Sequence, residues 1–131
     1  MTGETDLRTL LNELNPELNP GEYVFCTVNT LNDAAGLKPL FVFQEREGVT
    51  VVLSKTQADE NILFYSMTCA WITLNVYSSL EAVGLTAAVA NALTKAGISC
   101  NVVAAYHHDH LFVPFKDSER AMEVLLSLSR G

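Results

Sequence analysis

Gly84-Leu85-Thr86-Ala87-Ala88-Val89-Ala90-Asn91-Ala92-Leu93-Thr94-Lys95-Ala96-Gly97-Ile98-Ser99 is a helical pattern held between two glycines. Leu85, Val89, Ala92, Leu93 and Ala96 share one face, and Gly97 supplies the left-handed residue that ends many helices. Before this helix, Ala70, Ile72, Leu74 and Val76 alternate with Trp71, Thr73, Asn75 and Tyr77, which predicts a two-faced strand starting near Cys69. A bend containing two serines, Tyr77 to Val83, joins strand to helix. Beyond Gly97 the spacing predicts a strand over Ile98–Tyr106, a turn at His107-His108-Asp109 and a strand over His110–Phe115. Asp117 then caps a last helix with Met122, Leu125 and Leu126 inward and Glu119, Glu123 and Arg130 outward.

The other half has the same plan with shorter parts. Leu7, Leu10, Leu11 and Leu14 recur at helical spacing behind Thr5 as N-cap, and Asn15-Pro16 and Asn19-Pro20-Gly21 stop that helix. Glu22–Val28 is β-branched and aromatic and predicts a strand; Asn29–Pro39 is rich in turn formers and predicts a loop. Leu40–Gln44 and Val49–Leu53 flank Glu45-Arg46-Glu47-Gly48 as a hairpin, and Ser54 with Gln57 opens a short polar helix to about Leu63. The expectation is an α+β chain of two halves, residues 1–65 and 66–131, whose antiparallel sheets carry helices on one face. No strand follows the last helix, so that sheet is completed by the other half or by another chain.

Composition narrows function. The 131 residues are 49% hydrophobic and 18% charged, enough for a core. Eight Lys+Arg against fifteen Asp+Glu leave a net charge of −7 with no cationic cluster, which argues against nucleic acid as a partner. No apolar run has the length of a membrane span, and the first residues carry acids where an export signal needs cations, so a cytoplasmic protein is expected. Cys26, Cys69 and Cys100 form no CxxC and sit among apolar neighbours, as buried thiols do.

Gly84-Leu85-Thr86 opening a helix and Ala96-Gly97-Ile98-Ser99 turning into a strand resemble the ACT domain, a ferredoxin-like βαββαβ ligand-sensing module. Gly21-Glu22-Tyr23-Val24-Phe25-Cys26 and Ala105-Tyr106-His107-His108-Asp109-His110-Leu111-Phe112-Val113-Pro114 extend the likeness to small stand-alone bacterial proteins with tandem ACT-like halves. The resemblance implies a regulatory module that binds a small molecule, an amino acid above all, at an interface, in a homodimer. It implies a site at the loop before the helix: Ser78, Ser79, Val83, Gly84 and Leu85, with Asn75 or Asp33 meeting an ammonium group. Bare helix N–H groups suit a carboxylate, and a glycine admits close approach. It also implies a helix where Asn29–Pro39 reads as loop, a space the N-terminal helix is expected to fill.

His107, His108 and His110 around Asp109 are the chemically loudest residues. They have the donors for Zn²⁺ or Ni²⁺, yet adjacent strand residues point to opposite faces. The alternative is a hydrogen-bonded turn in which Asp109 binds backbone N–H groups and a histidine packs on the sheet. No nucleophile elbow, P-loop or dinucleotide fingerprint is present, so neither an enzyme nor a bound cofactor is expected. Trp71, Tyr77 and Tyr106 are expected on a helix-free sheet face, as interface anchors. A dimerisation domain without a ligand is the remaining alternative.

Overall fold

The computed structural model describes residues 6–76 and 83–131. In chain order the elements are α1 (Leu7–Asn12), β1 (Pro16–Val28), a 3-10 turn (Leu31–Ala34), β2 (Phe41–Gln44), β3 (Val49–Ser54) and α2 (Lys55–Glu60). Then come β4 (Cys69–Leu74), α3 (Leu85–Lys95), β5 (Asn101–Ala104), β6 (Asp109–Pro114), a second 3-10 turn (Phe115–Asp117) and α4 (Ser118–Arg130). They form two compact units, one of residues 1–20 with 70–131, the other of residues 21–69.

In the larger unit the strand order is β1-β4-β6-β5, with Pro16–Pro20 as its share of β1. Asn75 N donates to Asn15 O at 3.3 Å, and Asn19 Nδ2 donates to Trp71 O at 3.2 Å, so the two strands run in opposite directions. The place after the last helix is therefore filled from within the chain, by residues that the prolines mark as a stop. β5 and β6 pair antiparallel, Asn101 opposite Phe112 and Ala104 opposite Asp109. Ala70, Ile72, Leu74, Leu111 and Val113 form one face, on which Leu85, Val89 and Leu93 of α3 and Ala121 and Leu125 of α4 pack.

Helix α1 belongs to this same core. Leu10, Leu11 and Leu14 are buried in it, and Arg8 Nη2 and Ser129 Oγ donate to Leu128 O and Asn12 O at 3.3 and 3.2 Å. The expectation that α1 fills the helix position of the first half is thus corrected: its leucines are spaced to meet α3 and α4. Its N-cap is Asp6, whose carboxylate accepts from Thr9 N at 3.1 Å and Thr9 Oγ1 at 2.8 Å; Thr5, the expected cap, lies outside the described residues. Those two hydrogen bonds, side chain before backbone, hold the Asp6 carboxyl below its ordinary range.

The smaller unit orders its strands β2-β3-β1 with Gly21–Val28 as its part of β1, Phe25 opposite Val52 and Val52 opposite Phe41. Val24, Cys26, Val49, Val51 and Leu53 make its core face, with Ala58 of α2 and Ala34. Ala34 sits on the first 3-10 turn, in a stretch that reads as loop. Thr30 and Asp33 cap it reciprocally: Thr30 N donates to Asp33 Oδ2 at 3.1 Å and Asp33 N to Thr30 Oγ1 at 3.3 Å.

Helix α3 ends as its sequence predicts. Gly97 lies at φ +76°, Gly97 N donates to Thr94 O at 2.9 Å and Ile98 N to Leu93 O at 2.9 Å, the paired bonds of a Schellman motif. Asp117 precedes α4 but makes no side-chain cap bond; its carboxylate faces Arg120 Nη1 at 3.3 Å instead.

Candidate functional site

Gly84 opens α3 at φ +94°, a backbone conformation that strains any L side chain, and a Cβ there would lie 3.4 Å from Leu7 Cδ2 of α1. No side chain among the described residues caps this end of α3. Its first-turn N–H groups therefore have the character of an anion-facing helix start. Val83 beside it is 82% exposed, whereas Leu85 is buried and serves the core. Asn75, at the end of β4, gives its side-chain amide to Glu17 Oε1 at 3.0 Å. Of the remaining expected residues, Ser78 and Ser79 lie outside the described residues. Asp33 belongs to the smaller unit, where Thr30 N uses its carboxylate. Leu7 and Glu17 are the neighbours that sequence reasoning missed. Nothing local marks them, because both stand more than fifty residues from the strand and helix they meet.

The histidine segment is built differently from the expected turn. β6 begins at Asp109, so the tight turn is Ala105 to His108, closed by Ala105 N donating to His108 O at 3.1 Å. Asp109 is buried on the strand rather than binding turn N–H groups, and burial pushes its carboxyl above the ordinary 3.8. His110 packs on the sheet face opposite the helices. Its Nδ1 accepts from Trp71 Nε1 at 3.0 Å and lies 3.1 Å from Thr73 Oγ1, which in turn accepts from Asn19 Nδ2 at 2.9 Å. An indole N–H only donates, so Nδ1 is bare and the imidazole is neutral with its proton on Nε2. Burial, then the His108 charge, pulls its pKa below 6.5, against the pull of Asp109. This network was legible only as parity: Trp71 and Thr73 alternate with the core residues of β4, as His110 does on β6.

His107 instead packs edge-on against Tyr106, ring centroids 5.0 Å apart, and Tyr106 is 74% exposed. Among the described residues no three His, Cys, Asp or Glu side chains group to hold a metal ion. Trp71, expected as an interface anchor, is engaged with His110, and Tyr77 lies outside the described residues. Burial raises the thiol pKa values of Cys26 and Cys69, and takes Cys100 up to about 11, so none has the thiolate character of a nucleophile. A groove of about 390 Å³ runs between α3 and α4, lined by Ala92, Lys95, Glu123, Val124, Ser127 and Leu128. No helix among the described residues is long and apolar enough to cross a membrane.

Two family models, both described as ACT domain, match residues 2–70 and 66–127. No curated protein matches the chain. Among solved structures, a Vibrio cholerae protein of unknown function, described as a possible transport protein, is 46% identical, with 94% of this chain and 95% of that one covered and a TM-score of 0.86. The regulatory subunit of aspartate kinase from Thermus flavus is 10% identical over 86% of this chain and 95% of its own, with a TM-score of 0.71. E. coli aspartokinase III in complex with aspartate and ADP, in its R-state, is 13% identical over 88% of this chain and 33% of its own, with a TM-score of 0.65. Likeness at the level of the two kinases is likeness of fold: antiparallel sheet with helices on one face, the ferredoxin-like arrangement.

Proposed function

The chain belongs to the ACT-domain family, and from that premise we propose that it is a regulatory module which binds a small molecule at the start of α3. The ligand class we assign is an amino acid, its carboxylate against the first-turn N–H groups of α3. Ser78 and Ser79 extend the site, and the Asn75 amide oxygen faces the ammonium group. The protein works as a homodimer in the cytoplasm, by differential affinity of the ligand for alternative packings rather than by catalysis.

The observation that carries the reading is Gly84: a helix start that no side chain among the described residues caps, at a left-handed backbone position that favours glycine, in a chain whose family senses ligands. A helix N-terminus favours a carboxylate through its dipole and its unpaired donors together. The fold shared with the regulatory subunit of aspartate kinase supports a regulatory role for the module.

Thermal melting against the twenty amino acids, with zinc, nickel and EDTA in parallel, tests it. A ligand at 100 times its Kd stabilises by about 2.7 kcal/mol, a shift of several degrees for a domain of this size. One or two amino acids are expected to give that shift and to lose it in Gly84→Val, melted with and without ligand to separate binding from backbone strain. A shift that survives in Gly84→Val puts the ligand elsewhere. A shift with metal alone, reversed by EDTA, replaces this reading with a metal module.

A further inference from the structure

Helices α3 and α4 lie antiparallel, as the contacts at their ends show. Arg120, near the start of α4, donates through Nη2 to Ala96 O just past the end of α3. At the opposite end α1 meets both helices: Leu7 faces Gly84, and Arg8 Nη2 donates to Leu128 O. Ala88, Ala92 and Ala96 recur at every fourth residue of α3, so along that line the helix offers only methyl groups. The groove of about 390 Å³ opens beside Ala92, with Val124 and Leu128 of α4, both half-buried against the core, as the rest of its floor.

The charges on its two walls stand at one end. Lys95 of α3 is one residue short of Ala96, and Glu123 of α4 is one turn past Arg120, so they face each other across the groove at about the same level. Both are exposed. Among the described residues the ion pairs are Lys55 with Asp59 and Arg120 with Asp117, so neither wall charge is neutralised. From Glu123 the apolar floor runs on to Leu128, about 7.5 Å along the helix.

Size and charge select the occupant. The volume falls in the roughly 300–1,000 Å³ of small-molecule sites, whereas a protein interface engages roughly 20–30 residues a side and six line this groove. A plain carboxylate drawn to Lys95 would be repelled by Glu123, and a plain amine drawn to Glu123 would be repelled by Lys95. A molecule carrying both charges is the one that both walls attract. We propose that this groove is a further small-molecule site, which takes a zwitterion with an aliphatic tail. The anionic group lies on Lys95, the ammonium group on Glu123, and the tail along Ala92, Val124 and Leu128. Gly84 and Lys95 are at opposite ends of α3, about 16 Å apart, so the site is distinct from the one at the start of that helix.

Proton–nitrogen correlation spectra of the isotope-labelled full chain, titrated with L-norleucine, test this. L-norleucine is expected to shift the backbone signals of residues 92–95 and 123–128 saturably. Lys95→Gln and Glu123→Gln, at exposed positions where the fold has little at stake, are each expected to raise its dissociation constant at least about fivefold. Ala92→Leu fills the floor and is expected to abolish binding. Hexanoate and pentylamine, each with one of the two charges, are expected to bind at least about fivefold more weakly than norleucine. An unchanged dissociation constant in either charge variant overturns the proposal, and so does hexanoate or pentylamine binding as tightly as norleucine. Shifts confined to the first turn of α3 overturn it too, while leaving the site at Gly84 standing. Groove shifts that persist in Gly84→Val uphold it whatever becomes of that site, and no shift anywhere overturns it.

Discussion

His110 and Asp109 are neighbours on β6 whose side chains face opposite sides of the sheet, and burial acts on them with opposite consequences for pH. A proton on His110 Nδ1 would face the Trp71 indole N–H, donor against donor, so the folded protein resists it. With the folded pKa below the ordinary 6.5, the unfolded chain takes up the proton first. Stability from this group is therefore present above pH 6.5 and lost as pH falls from there through the folded value. For Asp109 the folded pKa lies above 3.8, so the folded state binds the proton first and stability falls as pH rises from 3.8 through the folded value. Asp109→Asn is expected to raise the melting temperature at pH 7, with the gain vanishing below pH 3.8. His110→Leu should flatten the slope below pH 6.5. By taking the acceptor from the Trp71 indole it also costs about 1–3 kcal/mol at pH 7.5, measured by urea unfolding. A His110→Leu variant as stable as the parent would show the network to be incidental.

At the scale of elements, α2 is a six-residue helix that depends on its ends. Ser54 Oγ accepts from Gln57 N at 3.2 Å, and the Gln57 side chain then clamps Lys38 by both its N–H and its carbonyl at 2.9 and 3.1 Å. Ser54→Ala is expected to cost about 1 kcal/mol, read as a drop of several degrees in melting temperature; no loss would mean that Ala58 alone holds the helix. This cap was legible in the sequence because Ser54 and Gln57 are three apart and chemically specific. The limits of α3 were legible for the same reason, with Gly84 and Gly97 at its two ends. What misled was chemistry shared by two structures. Pro16, Asn19 and Pro20 look like breakers, yet they form strand: Pro16 is buried, and the Asn19 side chain bonds across to Trp71 O and Thr73 Oγ1. Asn29–Pro39 is full of turn formers, and turn formers are also what a capped 3-10 turn needs.

At the scale of the molecule, sequence likeness and compactness cut the chain at different places. The family matches run from 2–70 and from 66–127, while the compact units are 21–69 and the pair of segments 1–20 and 70–131. The first twenty residues stand in sequence with one half and pack with the other, because α1 brings Leu10, Leu11 and Leu14 to the core that holds Leu93 and Leu125. Losing a buried leucine costs about 2–5 kcal/mol, so losing three exceeds much of the roughly 5–15 kcal/mol that holds a domain together. A fragment of residues 66–131 is therefore expected to show no cooperative melting. The permuted chain 70–131 followed by 1–20 restores the missing helix and strand and is expected to melt cooperatively with native-like helicity. The join is short, since Arg8 and Asn12 already meet Leu128 and Ser129, and about eight Gly/Ser residues spanning roughly 15 Å suffice. Circular dichroism melts of the two chains decide the matter. A cooperative transition in 66–131 alone would make α1 and the start of β1 accessories to a self-sufficient half. A transition only in the permuted chain would make residues 1–20 the completing strand and helix of the unit that Gly84 serves.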